Sequence, residues 1–337
     1  MEIAERQKEI RAFTRRYSQK DDRIAALSYF GSYAFFWAVL FAAILNWSTL
    51  WVGLPFAIIA GVAGVRLYVL QHDCGHHSLF VSKRANEWAG YGLSLVTLTP
   101  FGAMQYNHNV HHYHVGNLDH RESGEVHTMT LREWRRAPWW SKLGYRIYRN
   151  PLFLTTIGGF FVFFLQYRWP KNTLRAGLWK GVLVHNLMLA TFLFALWSVF
   201  GWAGVAAYGV ASLAAAPLGV FLVYLQHNFE DTHWGRKPEL EFAEATLDGS
   251  SCLDLGWLFD LATGSIAYHD IHHFNPAIPS YNLRKCHRAL RQVVDMRTIE
   301  WPEALHSFSL KLWDEDNERL VAFPPVRRGH PITFPAE

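Results

Sequence analysis

The sequence predicts an all-α integral membrane protein, with four transmembrane helices in two hairpins, interfacial helices and a cytoplasmic helical cap. Half of its 337 residues are hydrophobic and only 18% are charged, whereas soluble domains contain about 25% charged residues. Two long stretches, 25–65 and 181–229, contain no Asp, Glu, Lys or Arg. Each stretch is long enough for two membrane crossings of about 20 residues. We therefore expect the surplus apolar surface to face lipid.

The two hairpins differ in how clearly their turns are marked. The first is predicted from two apolar stretches, 25–47 and 50–70, with a short turn at Asn46–Leu50. The second lies within the uncharged run and has its break near Gly201, where a glycine interrupts the apolar sequence. These boundaries predict two antiparallel helix pairs in the membrane.

Two shorter apolar segments, Trp88–Met104 and Leu152–Tyr167, are interpreted as interfacial or re-entrant helices. If either one alone crossed the membrane, the histidine clusters described below would lie on opposite sides of it.

The chain is predicted to form a single domain whose large polar regions all lie on one side of the membrane. It begins with a cytoplasmic N-terminal segment (1–24), which is followed by the first hairpin (25–71) and by a cytoplasmic and interfacial segment (72–180). The second hairpin (181–225) and a cytoplasmic cap and tail (226–337) complete the chain. Lys and Arg are concentrated in the first and third parts and are absent from both hairpin turns. The positive-inside rule then places both termini in the cytoplasm.

Composition also bears on the compartment and on partners. Three cysteines, an odd number, argue against a disulfide framework and favour a reducing compartment. The polar N-terminal segment has no hydrophobic stretch of the kind found in signal peptides. We expect a bacterial inner membrane. A net charge of +4 is too small to indicate nucleic-acid binding.

Eighteen histidines include three clusters, HDCGHH at 72–77, HNVHH at 108–112 and HDIHH at 269–273. Histidines three or four residues apart share a helical face, where their imidazoles can bind one metal ion. A further histidine, His227, lies at the cytoplasmic end of the last predicted span. The predicted metal ligands are His72, His76, His108, His111, His112, His227, His269, His272 and His273.

Nine imidazoles indicate two metal ions, because one ion takes about four to six ligands. Imidazole binds iron, zinc, copper and nickel, so spacing alone leaves the metal open. The number of nitrogen ligands favours a redox pair of irons over a closed structural zinc site. His77 and His114 are candidates for additional or outer ligands. His185 and His306 are expected at the membrane interface, and His287 at the surface or in local structure. Asp73 and Asp270 are candidate acceptors for a ligand N–H, with a solvated carboxylate as the alternative.

The sequence around these clusters resembles the membrane fatty acid desaturases. HDCGHH, HNVHH and HDIHH follow the order and spacing of that family's three histidine boxes. The segments QHNFEDTHW, ATGSIAYHDIHHFNPAIPSYNL and RKCHRAL are similar to its acyl-lipid Δ12/ω6-type branch. The resemblance covers residues 25–290, with one departure at His233, where an aromatic residue is more usual.

The resemblance implies a helical membrane domain whose cytoplasmic cap holds two non-haem irons. It also implies that O2 and two electrons are used to remove hydrogens from adjacent carbons of a long acyl chain. His72 and His76 match the first box, His108, His111 and His112 the second, His269, His272 and His273 the third, and His227 the additional ligand. Side-chain acids and bases cannot oxidise a methylene group, so the protein's part is to hold the metals and align the chain.

The chain contains no HPGG-type haem segment and no flavin or nicotinamide fingerprint, so we expect an external electron donor of the ferredoxin or cytochrome b5 type. Six basic residues could bind an acidic carrier of this kind: Arg132, Arg135, Arg136, Lys142, Arg146 and Arg149. Contact of these residues with anionic lipid headgroups is the preferred interpretation.

Three alternatives are considered for the activity. A membrane hydroxylase, ketolase or alkane monooxygenase would use similar histidine clusters. A zinc-dependent membrane hydrolase and a non-catalytic metal-binding protein are more distant alternatives. The acyl carrier and the double-bond position stay open.

Overall fold

The computed structural model describes residues 2–121, 126–169, 174, 176–237, 240–242 and 244–325. The predicted tail beyond residue 325 lies outside this range. The fold is mostly helical, and the helices are α1 Glu2–Arg15, α2 Asp22–Leu45, α3 Leu50–Gly75, α4 Lys83–Leu93, α5 Phe101–His114, α6 Leu131–Arg136, α7 Trp139–Tyr148, α8 Pro151–Phe153, α9 Trp179–His227, α10 Trp257–Ala262, α11 His269–Phe274, α12 Ser280–Leu290 and α13 Trp301–Ser307.

Two small sheets accompany the helices and were not predicted. Their strands are β1 Met129–Thr130, β2 Cys252–Leu253, β3 Thr298–Ile299, β4 Leu312–Asp314 and β5 Arg319–Val321. β4 pairs in parallel with β1 and antiparallel with β5, and β2 pairs in parallel with β3. Strands of two or three residues are too short to give an alternating sequence pattern, which explains why the sequence predicted an all-α fold.

The two apolar helices predicted for the first hairpin are found as α2 and α3. The Asp21 carboxylate accepts hydrogen bonds from the backbone N–H groups of Arg23 and Ile24, which caps the start of α2. At the other end the Asn46 side chain donates to the Ala42 carbonyl. This capping places the turn where the apolar run is interrupted.

The second hairpin is formed within α9, and the predicted break at Gly201 is confirmed. Gly201 has φ +60° and ψ −153°, a backbone conformation that glycine adopts without a Cβ penalty. Phe192 and Tyr208 lie on either side of it, with ring centroids 5.2 Å apart. In a straight helix these residues would be about 24 Å apart. The two halves of α9 therefore run back alongside each other.

Within the described part of the chain, three helices, α2, α3 and α9, are long and apolar enough to cross a membrane. Their outer faces expose large apolar side chains, including Leu27 at 77% and Phe30 at 64%. Helix contact is close where Gly61 of α3 meets Ala211 of α9, because a Cβ at Gly61 would lie 2.5 Å from the Ala211 carbonyl oxygen. Glycine at this position allows the two helices to approach.

The two ambiguous apolar segments take different forms. Trp88–Met104 is divided between α4 and α5 by a non-helical stretch at 94–100. Leu152–Tyr167 is helical, with π-helical turns at Leu154–Gly158 and Phe161–Leu165. Together with α7, from which it is bent by 59°, it is long and apolar enough for one further span. The interfacial or re-entrant assignment stays a prediction.

A capping box at the start of α6 leads to a first testable prediction, because its carboxylate titrates in an accessible pH range. The Thr130 hydroxyl accepts from the Glu133 N–H, and the Glu133 carboxylate accepts from the Thr130 N–H. Arg121 donates to both oxygens of the same carboxylate. This ion pair lowers the pKa of Glu133 to about 2.

Because the pKa of Glu133 is lowered by folding, its contribution to stability is present at neutral pH and is lost as the pH falls below about 4.5. Glu133→Gln keeps the capping geometry but removes the charge. We expect it to cost up to about 1 kcal/mol at pH 7, since the pair is partly exposed, and to cost less at pH 3. Thermal unfolding in detergent at both pH values measures the difference, and an equal cost at both would contradict the prediction.

Candidate metal centre

The nine predicted histidines come together in two adjacent groups where three helices and the end of α3 meet. The first histidine group contains His72, His76, His108, His112 and His272, and the second contains His111, His227, His269 and His273. Within each group the candidate ligand nitrogens all lie within 4.8 Å of one another. All nine residues are buried or partly buried.

Two helices carry ligand candidates for both groups, which brings the groups side by side. On α5, His108 and His112 face the first group whereas His111 faces the second. On α11, His272 belongs to the first group and His269 and His273 to the second. On α5 and α11 the two histidines spaced four residues apart share one group, and the histidine three residues after the first of them belongs to the other group. The rings of His112 and His273 are stacked with centroids 4.1 Å apart, where the two groups adjoin.

The distances between ring nitrogens fit metal coordination. Nε2 of His112 lies 2.9 Å from Nε2 of His108 and 3.1 Å from that of His272. In the second group, Nε2 of His273 lies 2.9 Å from Nε2 of His269 and 3.1 Å from that of His111. Two nitrogens bound at right angles to one ion at about 2.1 Å are separated by about 3.0 Å. The imidazoles are thus spaced as neighbouring ligands of a common ion.

Unsatisfied nitrogens point to the same conclusion. Nδ1 of His227 lies 3.1 Å from the Gly249 carbonyl oxygen, which can only accept, so Nδ1 carries the proton. Nε2 then has a free lone pair. Within the described part of the chain, Nε2 of His72, His76 and His227 is buried without a hydrogen-bond partner. Buried polar atoms without partners are costly, and a bound cation would satisfy them.

Five of the ligand candidates on α5 and α11 are held in the neutral form that a metal requires. Burial, and next to it repulsion from neighbouring imidazoles, lowers the pKa well below its ordinary value for His108, His112, His269, His272 and His273. Neutral imidazole keeps a nitrogen lone pair for coordination at physiological pH.

The four predicted neighbours of the ligands have different positions. Asp73 accepts from the Ser280 N–H at 2.8 Å, and its other oxygen lies 3.6 Å from Nδ1 of His72. Asp73 thus joins α3 to the start of α12 beside a ligand candidate. Asp270 accepts from the Ile271 N–H and lies 3.3 Å from Nδ1 of His287. Among the described residues, the imidazole beside Asp270 is therefore that of His287, which lies outside both histidine groups.

His77 and His114 belong to neither histidine group. His77 has a positive φ of 53°, and its Nε2 lies 3.8 Å from a Glu87 carboxylate oxygen. The His114 ring lies against that of His120, with centroids 4.4 Å apart. The structure does not place either residue where the sequence suggested an additional ligand.

Sequence reasoning missed several residues around the centre. The carbonyl of Gly249 has no sequence signature, because every residue has a carbonyl. His287 was expected at the surface or in local structure, and it is buried beside Asp270. Arg149 was grouped with surface residues that could meet a carrier or headgroups, but it is fully buried. His185 was expected at an interface and is buried against Arg168.

An apolar cavity lies between α2, α3 and α9, further along the apolar helices than the histidines. Its lining includes Phe36, Gly61, Gly64, Val65, Tyr68, Ala211 and Ala215. Tyr68 and Gly61 precede His72 by 4 and 11 residues, which corresponds to about 6 and 16 Å along a helix. The residues that line the cavity carry no charge.

Comparison with known proteins agrees with this site. A family model described as fatty acid desaturase matches residues 48–303. A fatty acid desaturase of Bacillus subtilis is 30% identical over 337 residues, covering 99% of this chain and 96% of the relative. An sn-1 acyl-lipid omega-3 desaturase (ferredoxin) of Synechocystis is 28% identical over 71% of this chain and 67% of its own length.

An sn-1 oleoyl-lipid 12-desaturase of Synechocystis is 26% identical, and the match covers 74% of this chain and 73% of that protein. The matched family segment includes all nine clustered histidines and most of the apolar helices. The family resemblance read from the histidine clusters is thereby confirmed, and the chain belongs to the fatty acid desaturase family of enzymes.

Proposed function

We propose that this protein introduces a cis double bond into a long-chain fatty acyl group of a membrane lipid, using O2 and two electrons. A Δ12 or ω6 position is our preferred assignment. The observation that carries the proposal is that α3 and α9 contribute to the two adjacent histidine groups and also line an apolar cavity further along their length. That arrangement suits oxidation of an apolar chain that enters from the membrane.

The metal ions are proposed to be two non-haem irons held by the nine clustered histidines. The first group would hold one ion with five imidazoles and the second would hold the other with four. Bound iron would supply the oxidising power that side chains lack. The protein's own contribution is to keep the imidazoles neutral, to orient His227 through the Gly249 carbonyl, and to fix the end of α3 through Asp73.

The acyl chain is proposed to place its methyl end in the apolar cavity. Small residues on α3 and α9 leave the space, and the close contact of Gly61 with Ala211 would form its floor. The distance from this floor to the histidines would determine which carbons lie beside the metals. This arrangement needs no polar recognition of the chain.

We further propose that α2, α3 and the two halves of α9 cross the membrane as four spans, with both termini in the cytoplasm of a bacterial cell. The basic residues of the N-terminal and middle segments support that orientation. The electron donor is proposed to be an external ferredoxin or cytochrome b5. One relative carries ferredoxin in its name, which supports the first of these. Exposed Arg132, Arg135 and Arg136 would contact the donor or lipid headgroups.

The test is the fatty-acid profile of membranes from a host that expresses the chain together with a ferredoxin system. We expect a new unsaturated acid that forms only when oxygen is supplied, and its double bond can be located by mass spectrometry. A hydroxylated product would assign the related hydroxylase activity instead. Purified protein that contains zinc and no iron, and forms no product, would refute the proposed mechanism.

A further inference from the structure

Arg149 is a fully buried cation that the established family chemistry does not use. It follows α7, and its relative exposure is 0%. Among the described residues, no carboxylate forms an ion pair with its guanidinium. Burying a charge without an opposite charge is costly unless several polar atoms replace its water. Such a residue therefore needs a structural or functional reason.

The polar atoms around Arg149 come from three separate segments. Nη1 donates to the Thr128 hydroxyl at 2.7 Å and to the His127 carbonyl at 3.1 Å, in the segment that leads into β1. Nη2 donates to the Leu310 carbonyl at 3.2 Å, just beyond α13. Nη2 also donates to the hydroxyl of Tyr224, at 3.3 Å, and to the side-chain oxygen of Asn228. One guanidinium thus joins the middle segment, the cap and the end of α9.

The contacts on α9 lie on either side of a ligand candidate. Tyr224 is three residues before His227, and Asn228 follows it directly. The Asn228 amide also donates to the Ser307 carbonyl at 3.1 Å, which links this last turn to α13. The imidazole of His227 is held separately, by the Gly249 carbonyl. Arg149 therefore restrains the backbone that carries His227, and Gly249 restrains its ring.

A lysine could not make the same set of contacts. Arginine presents its donors in a rigid planar fork, whereas lysine has one ammonium on a flexible stem. Lys311, next to this site, shows the difference: its ammonium donates to the Arg149 carbonyl, at 2.7 Å. The carbonyl oxygens of His127 and Leu310 and the side-chain oxygens of Thr128, Tyr224 and Asn228 together accept from one charged group.

We propose that Arg149 is a positioning residue for the second histidine group, and that it fixes the last turn of α9 so that His227 points at the second metal ion. This inference rests on the proposed metal site. Loss of the guanidinium would free Tyr224 and Asn228, and His227 would lose its fixed direction. Binding of the second ion would be weakened selectively, because the first histidine group contains no residue of α9.

The experiment compares metal binding by the full-length protein in detergent before and after Arg149→Gln. Metal-free protein is titrated with Fe2+ without oxygen, and bound metal per chain and the Mössbauer spectrum are recorded. We expect the affinity of one of two sites to fall roughly 10- to 100-fold, with selective loss of one iron signal. Arg149→Lys should give an intermediate result. Arg84→Gln, which alters an exposed arginine on α4, is the matched control.

Two outcomes would overturn the proposal: two equivalent binding sites retained in Arg149→Gln, or equal weakening of both sites. If Arg149→Gln fails to fold, Asn228→Ala removes the contacts that the side chain beside His227 makes with Arg149 and Ser307, and it should weaken metal binding at the same single site. Retention of both sites in a folded Asn228→Ala would then count against the proposal. A parent protein that is purified with zinc and no iron, and forms no product, would refute the proposed function, whereas the same titration with Zn2+ would still measure the effect of Arg149 on the second site.

Discussion

Replacing His272 with alanine is expected to abolish formation of the unsaturated product. His272 lies in the first histidine group, with its Nε2 3.1 Å from that of His112, and its side chain is buried. Changing a residue that merely supports a metal ligand lowers metal affinity or activity about 10- to 100-fold. Removing a ligand itself should lower the activity by more than about 100-fold. The product should therefore fall below detection in the membrane fatty-acid profile.

The matched control for this variant is His306→Ala, which removes an exposed histidine on α13 from outside both groups. It should leave the product and the metal content unchanged. Metal analysis separates the cause, since His272→Ala should also lose bound metal from the first group while the protein remains helical. Full activity with an unchanged metal content in His272→Ala would show that this histidine is not a ligand.

Filling the apolar cavity is expected to move the double bond. Gly64 borders the cavity, and a Cβ built there would meet only a ring carbon of Phe36, at 3.7 Å. Gly64→Leu should therefore fit without disturbing the helix contact and should raise the effective floor. A leucine side chain extends about three C–C bonds from its Cα. We expect the chain to enter less deeply and the double bond to move about two carbons towards the methyl end, or shorter chains to be preferred.

Gly209→Leu is the control, because it adds the same side chain to α9 at a position where a Cβ would meet nothing within 4 Å. Gly209 does not line the cavity. Double-bond positions in the lipids made by both variants are measured by mass spectrometry. If Gly64→Leu gives the parent product at the parent position, the cavity does not hold the acyl chain.

The helical hairpins were predictable because their signals are local. The uncharged runs predicted α2, α3 and α9, and the interruption at Gly201 predicted the break in α9. The histidine clusters likewise predicted which residues assemble, since imidazoles at spacings of three and four share a helical face whatever the rest of the fold does. All nine predicted ligands are found in the two groups.

The division of those nine residues between the two groups was not predictable from the chain. His111 and His112 are adjacent in sequence and belong to different groups, because which face of α5 meets α3 and which meets α9 depends on how the helices pack. The same reason explains His287, whose sequence neighbours suggested local structure, but whose partner Asp270 is 17 residues away in another helix.

By itself, the sequence determined the family, the apolar helices and the set of clustered histidines, because each depends on residue type and short-range spacing. Three features depend on the tertiary structure: the division of the histidines into two groups, the apolar cavity, and the burial of Arg149 against the end of α9. Those features arise from contacts between segments far apart in the chain, such as Arg149 with Asn228 and Leu310. From sequence alone a basic residue such as Arg149 is expected at the surface, because the segments that bury it are distant in the chain.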